Sequence, residues 1–309
     1  MSQPIGTERT GQTATPQLAP QQVRLEVLYC GICHAGNERQ THAQAYPCMP
    51  GHEVVGRVLA VGSAVRRFKV GDLAGVDEAG IDGFPGQAST LAVAEDALLH
   101  IPETLDLGLV APLLCAGVAT YSPLRHWKIG PGKKVGVIGM DGLGHMAILF
   151  ASAMGAHVVL LTEAANQLQS AVALGADEVC VATDEAALAA HDSSFDLILS
   201  TIPARNDVRP YVRLLKRDAT LVLVGGGAGT VQQAAEADLQ RRVNETQAVL
   251  DFCAAHDIAA NIEVIPVQRI NAAYEGLHMD DLAYRAISDI PSLKARPAEM
   301  LAALHTARA

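Results

Sequence analysis

The chain has 309 residues, half of them apolar and 18% charged, which suits a globular protein of two domains with a substantial core and excludes a disordered polymer. Its formal net charge is −10 and its Lys and Arg residues are scattered, so nucleic acid and anionic membrane surfaces are poor partners and a small neutral or cationic ligand fits better. No apolar run reaches bilayer-spanning length and the first twenty residues are polar, so the expectation is a soluble, cytoplasmic protein.

Six irregularly spaced cysteines, Cys30, Cys33, Cys48, Cys115, Cys180 and Cys253, read as thiols or metal ligands and not as a disulfide framework. The first third reads as strands. "VRLEVLY" (23–29) alternates apolar and polar residues, "EVVGRVLAVGSAV" (53–65) is rich in β-branched residues, and "FKVGDLAGV" (68–76) carries Gly-Asp turn punctuation. A small, mostly β domain follows from that pattern.

From about residue 130 the rhythm changes to strand, glycine turn, helix. "KKVGVIG" (133–139), "GLGHMAILFASAMGA" (142–156), "HVVLLTE" (157–163) and "AANQLQSAVALGA" (164–176) alternate in the manner of a parallel sheet covered by helices. The alternation continues through strands at 178–183 and 195–202, a helix at 207–217 and a strand at 220–226, giving five strands. An amphipathic helix follows at 245–256, and no sixth strand is found before it.

The turn "GMDGLG" (139–144) stands where a dinucleotide fingerprint would, with Gly139 for the tight turn and Gly144 for close helix packing. At the middle glycine position it has Asp141, which adds bulk and negative charge beside the place of a phosphate. The turn therefore reads either as a nucleotide site or as a plain βα connection. Glu163, 19 residues beyond Gly144, reads either as a ligand for a ribose 2′-hydroxyl or as a solvated strand-end residue. For a metal, the candidates are Cys33, the pair His52-Glu53 and Cys115. Two thiolates, an imidazole and a carboxylate or water make a tetrahedral zinc site with one position that can open, although each residue alone also reads as a buried packing residue.

"YCGICH", "YPCMPGHEVVGRVLAVGSAV", "APLLCAGVATYSPLRHWKIGPGKKVGVIG", "GLGHMA", "ALGADEV", "LLKRDATLVLVGG" and "AYEGLHMDDLAYR" resemble successive signatures of zinc-dependent medium-chain alcohol dehydrogenases, in the cinnamyl-alcohol-dehydrogenase branch, over residues 22–290. The resemblance implies an α/β protein: a GroES-like β domain plus a Rossmann doubly wound parallel-sheet domain. The corresponding boundaries are 1–125, 126–258 and 259–309, the last segment returning to the first domain through strands at 261–265 and 284–290. It implies one catalytic zinc held by Cys33, His52 and Cys115, with Glu53 as the adjacent carboxylate. His34 would lie near the cofactor phosphates, and an NAD(P) cofactor would be bound by Gly139, Gly142, Leu143, Gly144, Thr162 and Glu163. The implied activity is hydride transfer between NAD(P)(H) and a primary alcohol or aldehyde.

Departures from the family pattern qualify this expectation. Ala35, Gly36 and Glu38 stand where the family has a Ser or Thr proton relay, a supporting Asp and often a His; an alanine methyl moves no proton, which leaves Glu38 or a water to replace the relay. Ala119 replaces a threonine beside the nicotinamide, and Ala164, Gln167 and Leu168 replace residues offered to a 2′-phosphate, which favours NAD(H). The loop at 77–90 holds no cysteine, so the structural zinc lobe is missing, and without a sixth strand a homodimer through that edge is weakened. The expectation is an impaired enzyme. The alternative is a catalytically inactive relative that keeps the fold and zinc as a binding or structural module.

Overall fold

A computed structural model describes residues 17–33, 51–77, 80, 87–203, 206–224, 239–270, 272–273 and 285–294. The chain divides into two units. Residues 1–114, 239–243 and 262–309 form the first, and residues 115–238 and 244–261 form the second.

The first unit opens with the long strand β1 (Gln22–Ile32). Val23, Leu25 and Val27 are buried while Gln22, Arg24 and Glu26 between them are half-buried, the two-residue period expected of a strand with one face on a core. At its far end the pattern breaks, and Cys30, Gly31 and Ile32 are all buried. β2 (Val54–Val61) pairs antiparallel with β1, and β3 (Leu73–Val76) pairs antiparallel with β2. β4 (Thr90–Ala94) lines the first half of β1, and β5 (Leu99–His100) extends the sheet beyond β3. β2 is shorter than the 53–65 run suggests because the chain turns at Gly62, where any Cβ would collide with the carbonyls of Ala19 and Pro20. A short helix α1 (Leu107–Val110), capped by Asp106 Oδ1 on the Gly108 amide at 2.9 Å, runs into the buried turn Ala111–Leu114.

The second unit starts with helix α2 (Ala116–His126) and continues as β6 (Lys134–Ile138), α3 (Gly144–Ala153), β7 (His157–Thr162), α4 (Leu168–Ala173), β8 (Glu178–Val181), α5 (Glu185–Ala189), β9 (Phe195–Ser200), α6 (Arg209–Val212) and β10 (Leu215–Leu223). These five strands make one parallel sheet in the order β10-β9-β6-β7-β8. Val158, Val159, Leu160 and Leu161 show no exposure, as a strand covered by helices on both faces requires. The strand order reverses between β6 and β9, so the crevice at the carboxyl ends of these two strands is where an open α/β sheet takes its ligand.

Helix α7 (Leu239–His256) follows; its Phe252 lies 5.1 Å from Tyr121 of α2 and 6.1 Å from Phe150 of α3, ring to ring. Tyr121 also sits edge-on to Phe150, so α2 packs with the parallel-sheet unit and the division falls at 114/115, ahead of the expected 125/126. The chain then returns to the first unit as β11 (Ile262–Pro266) and β12 (Arg285–Asp289). These pair with one another in parallel, and β12 pairs antiparallel with the end of β1.

A second expected element differs. The helix expected at 207–217 is a single turn, and β10 begins at Leu215, five residues before the register settles at Thr220 to Leu223 against β9. Burial of Tyr211 and Leu214 on the sheet core ends the helix early, and Lys216 is drawn into the sheet margin by Asp196. Among the described residues the parallel sheet ends at β10, and no single helix is long and apolar enough to cross a membrane.

Asp196 ties three chain segments together at that margin. Its side chain, 15% exposed, accepts from Lys216 Nζ at 2.6 Å, the Lys134 amide at 3.0 Å and Lys133 Nζ at 3.2 Å. Burial alone would raise its pKa, but these donors outweigh burial and hold the carboxyl down at about 2. Its contribution to stability is therefore fully present above the unfolded carboxylate value near 4 and is lost as pH falls through about 2. Asp196→Asn should cost about 1–2 kcal/mol of unfolding free energy at pH 7, after allowance for solvent screening, with the difference from wild type shrinking between about pH 4 and pH 2; thermal melts of both proteins across that range check it.

Candidate metal centre

Cys33, His52, Glu53 and Cys115 converge. One ligand atom from each, two sulfurs, an imidazole nitrogen and a carboxylate oxygen, all lie within 4.8 Å of one another. The local reasons are specific. Cys33 follows directly on β1, and His52 and Glu53 lead directly into β2, so antiparallel pairing of Cys30 with Val54 brings the end of one strand beside the start of the other. Gly51 turns the chain into His52 with φ +115°, a region that a side chain strains and glycine accepts. Cys115 comes next after the buried turn Ala111–Leu114, whose Leu114 side chain packs over Gly75 of β3, and it is bonded directly to that anchored residue.

Gly31 makes room for the carboxylate. Its amide donates to Glu53 O at 2.9 Å, and a Cβ at position 31 would overlap the Glu53 carboxyl group. The glycine of "CGIC" is thus a structural part of the site, and residue-type reasoning passed over it. Glu53 has no exposure, His52 is 2% exposed and Cys33 is 6% exposed, whereas Cys115 is half-buried and marks the open side. Glu53 Oε1 stands 3.9 Å from His52 Nε2.

The donor set fits zinc. Zinc bonds of roughly 2.0–2.3 Å place tetrahedral donors about 3.3–3.8 Å apart, so donors already within 4.8 Å need contract only slightly. Placing two thiols and a carboxyl together out of water is expensive when they ionise, and a divalent cation offsets that expense. The other described thiols differ in kind. Burial, reinforced by the Glu53 charge, pushes the Cys30 thiol far above the ordinary range; burial pushes Cys253 up to about 12; and burial with the Asp184 and Glu178 charges raises Cys180. These three stay protonated and pack as small hydrophobes.

The remaining expected site residues fall into two groups. His34 and Glu38, with Ala35 and Gly36, lie outside the described residues. Gly139, Gly142, Leu143 and Gly144 form the connection from β6 to α3 at the point where the sheet order reverses, and Thr201 at the end of β9 joins them by donating its hydroxyl to Ile138 O at 2.8 Å. Thr162 is buried at the end of β7, where its Oγ1 accepts from the Ala164 amide at 3.0 Å and contacts Gln167 Oε1 at 2.6 Å; Glu163 beside it is exposed. Thr201 is an addition to the expected set, and the only signal for it in the chain is its place just past an apolar strand.

Residues 19–103 match the family described as alcohol dehydrogenase GroES-like domain, and residues 142–262 match zinc-binding dehydrogenase. Aldehyde reductase YahK of Escherichia coli is 42% identical over an alignment covering 87% of this chain and 91% of that protein. NADP-dependent alcohol dehydrogenase C 1 of Mycolicibacterium smegmatis is 38% identical, covering 90% and 93% respectively. Among solved structures, a cinnamyl alcohol dehydrogenase of Sorghum bicolor superposes with a TM-score of 0.81 at 32% identity, covering 90% of this chain and 93% of that one.

The geometry makes a direct expectation. The purified protein should hold about one zinc per chain by elemental analysis, Cys33→Ser and His52→Ala should each abolish retention through gel filtration, and Gly31→Ala, which removes no donor, should weaken zinc affinity about 10–100-fold by displacing Glu53.

Proposed function

Because the chain belongs to the zinc-type medium-chain alcohol dehydrogenase family, in its cinnamyl alcohol dehydrogenase branch, we propose that it transfers a hydride between NAD(P)(H) and a small primary alcohol or aldehyde, with one catalytic zinc ion. The observation that carries this reading is the convergence of two thiols, an imidazole and a carboxyl within 4.8 Å, three of the four residues buried. The dehydrogenase and reductase names of the relatives support the oxidoreductase class.

In this reading Cys33, His52 and Cys115 hold zinc, and Glu53 is the neighbouring carboxylate that can exchange with them. Bound there, zinc supplies a Lewis acid for the substrate oxygen. The chain's own contribution is placement and exclusion of water. The paired strands fix two donor segments relative to one another, and burial of His52 and Glu53 keeps the local dielectric low, where each charge acts more strongly. His34 belongs beside the cofactor phosphates, and the proton leaves through water or Glu38, because Ala35 has no hydroxyl to carry it.

The dinucleotide belongs in the crevice at the β6 and β9 strand ends, with Gly139, Gly142, Leu143 and Gly144 near its phosphates and Thr162 and Glu163 near its adenosine ribose. Glu163 is exposed, and none of residues 163–168 is cationic, so a 2′-phosphate finds no partner in this segment and NAD(H) is preferred. Two copies pairing through the edge beyond β10 would form a weakened homodimer.

The second reading, an inactive relative retaining fold and zinc, is favoured by Ala35, and one assay separates the two. With zinc-loaded protein, oxidation of NADH or NADPH by cinnamaldehyde or benzaldehyde should be slow but measurable. Chelation or Cys115→Ser should abolish it, and Ala35→Ser should raise kcat about tenfold or more. No zinc-dependent rate in either the wild type or Ala35→Ser would discard the enzymatic reading in favour of the inactive one.

A further inference from the structure

The turn between β6 and α3 keeps the backbone of a phosphate-holding loop. Gly139 adopts φ +87°, and a Cβ on Gly144 would overlap the Gly139 carbonyl, so the loop is closed as tightly as a glycine pair allows. Thr201 Oγ1, 2.8 Å from Ile138 O and 3.4 Å from Gly139 O, clamps it from β9. The amides at the start of α3 lie at this loop, where helix geometry and dipole favour an anion.

Those amides are already engaged by the chain itself. Asp141 Oδ1 accepts from the Leu143 amide at 2.9 Å and from the Gly144 amide at 2.9 Å, a single carboxylate oxygen bridging both donors. Its own carbonyl accepts from the His145 amide at 3.1 Å, which anchors residue 141 to the first turn of the helix. We propose that Asp141 is an internal anion that occupies the phosphate-binding amides, so that a dinucleotide seats its pyrophosphate only by displacing this carboxylate. The proposal rests on the dinucleotide reading above and adds a specificity-determining residue to it.

Displacement exchanges two charge-assisted hydrogen bonds for two others of similar strength, so the phosphate gains little from the amides. The displaced carboxylate, exposed and tethered one residue away, then repels the newcomer. Ligands that carry a pyrophosphate are penalised, and ligands that lack one are not.

Calorimetric titration of the full-length protein with ADP-ribose, NADH and adenosine tests this without reference to turnover. Asp141→Gly should bind ADP-ribose and NADH about 10–100-fold more tightly than wild type, with adenosine affinity unchanged. Asp141→Asn, which keeps an acceptor and loses the charge, should fall between them. Asp141→Gly should also melt at a lower temperature, since it loses a helix cap, and tighter binding by a less stable protein is a combination that a purely structural role does not produce. Equal or weaker ADP-ribose binding by Asp141→Gly, with wild-type binding intact, would overturn the proposal and leave the dinucleotide reading standing; no binding by either protein would overturn both.

Discussion

The antiparallel register of β1 against β2 is the constraint on which the candidate metal centre depends. Cys30 lies opposite Val54, so Cys33, which follows β1, and the His52-Glu53 pair, which precedes β2, emerge at the same end of the sheet. Register errors of one residue turn every side chain to the other face. The buried set Val23, Leu25, Val27, Val54 and Val58 guards against that, because a slip would bring this whole apolar face to water. Gly31 completes the arrangement by leaving vacant the volume into which the Glu53 carboxyl folds. The hydrophobic core thereby positions donors that have no part in it.

A different logic governs the parallel-sheet unit. Its central strands are buried on both faces, so their polar chemistry is confined to the strand ends, and reversal of strand order between β6 and β9 concentrates it at one point. Gly139, Asp141, Gly144 and Thr201 meet there. The two units thus carry acids in opposite settings. Glu53 is enclosed beside two thiols and an imidazole that could share a cation with it; Asp141 is exposed at a helix start and holds two backbone donors. One acid helps to assemble a site, and the other restrains one.

Much of this was legible in the order of residues. The change from two-residue alternation in 23–29 to βα rhythm after 130 identifies a β domain and a parallel sheet, because strand and helix periodicities impose different apolar spacings. The four metal-site residues were recognisable as a set through the extended motifs around them, and in the structure they meet. Less was legible where packing overrides local preference. The run 207–217 has helical spacing, yet burial of Tyr211 and Leu214 and the pull of Asp196 on Lys216 turn its second half into strand. Gly31 looked like punctuation between two cysteines, and Thr201 like the tail of a strand; neither signals a role until its spatial neighbour is known.

Asp141 shows where the division lies. Its residue type alone announces extra bulk and negative charge at a phosphate turn, since charge and volume belong to the side chain wherever it is placed. That its carboxylate folds back onto the amides of Leu143 and Gly144 is a matter of tertiary geometry, set by the tight closure at Gly139 and the clamp from Thr201. Composition and periodicity settled which elements form and which chemistries are on offer, because those depend on nearest neighbours along the chain. Which distant donors share a point in space, and which of them already hold one another, was decided by strand register and packing, because these couple residues far apart in the chain.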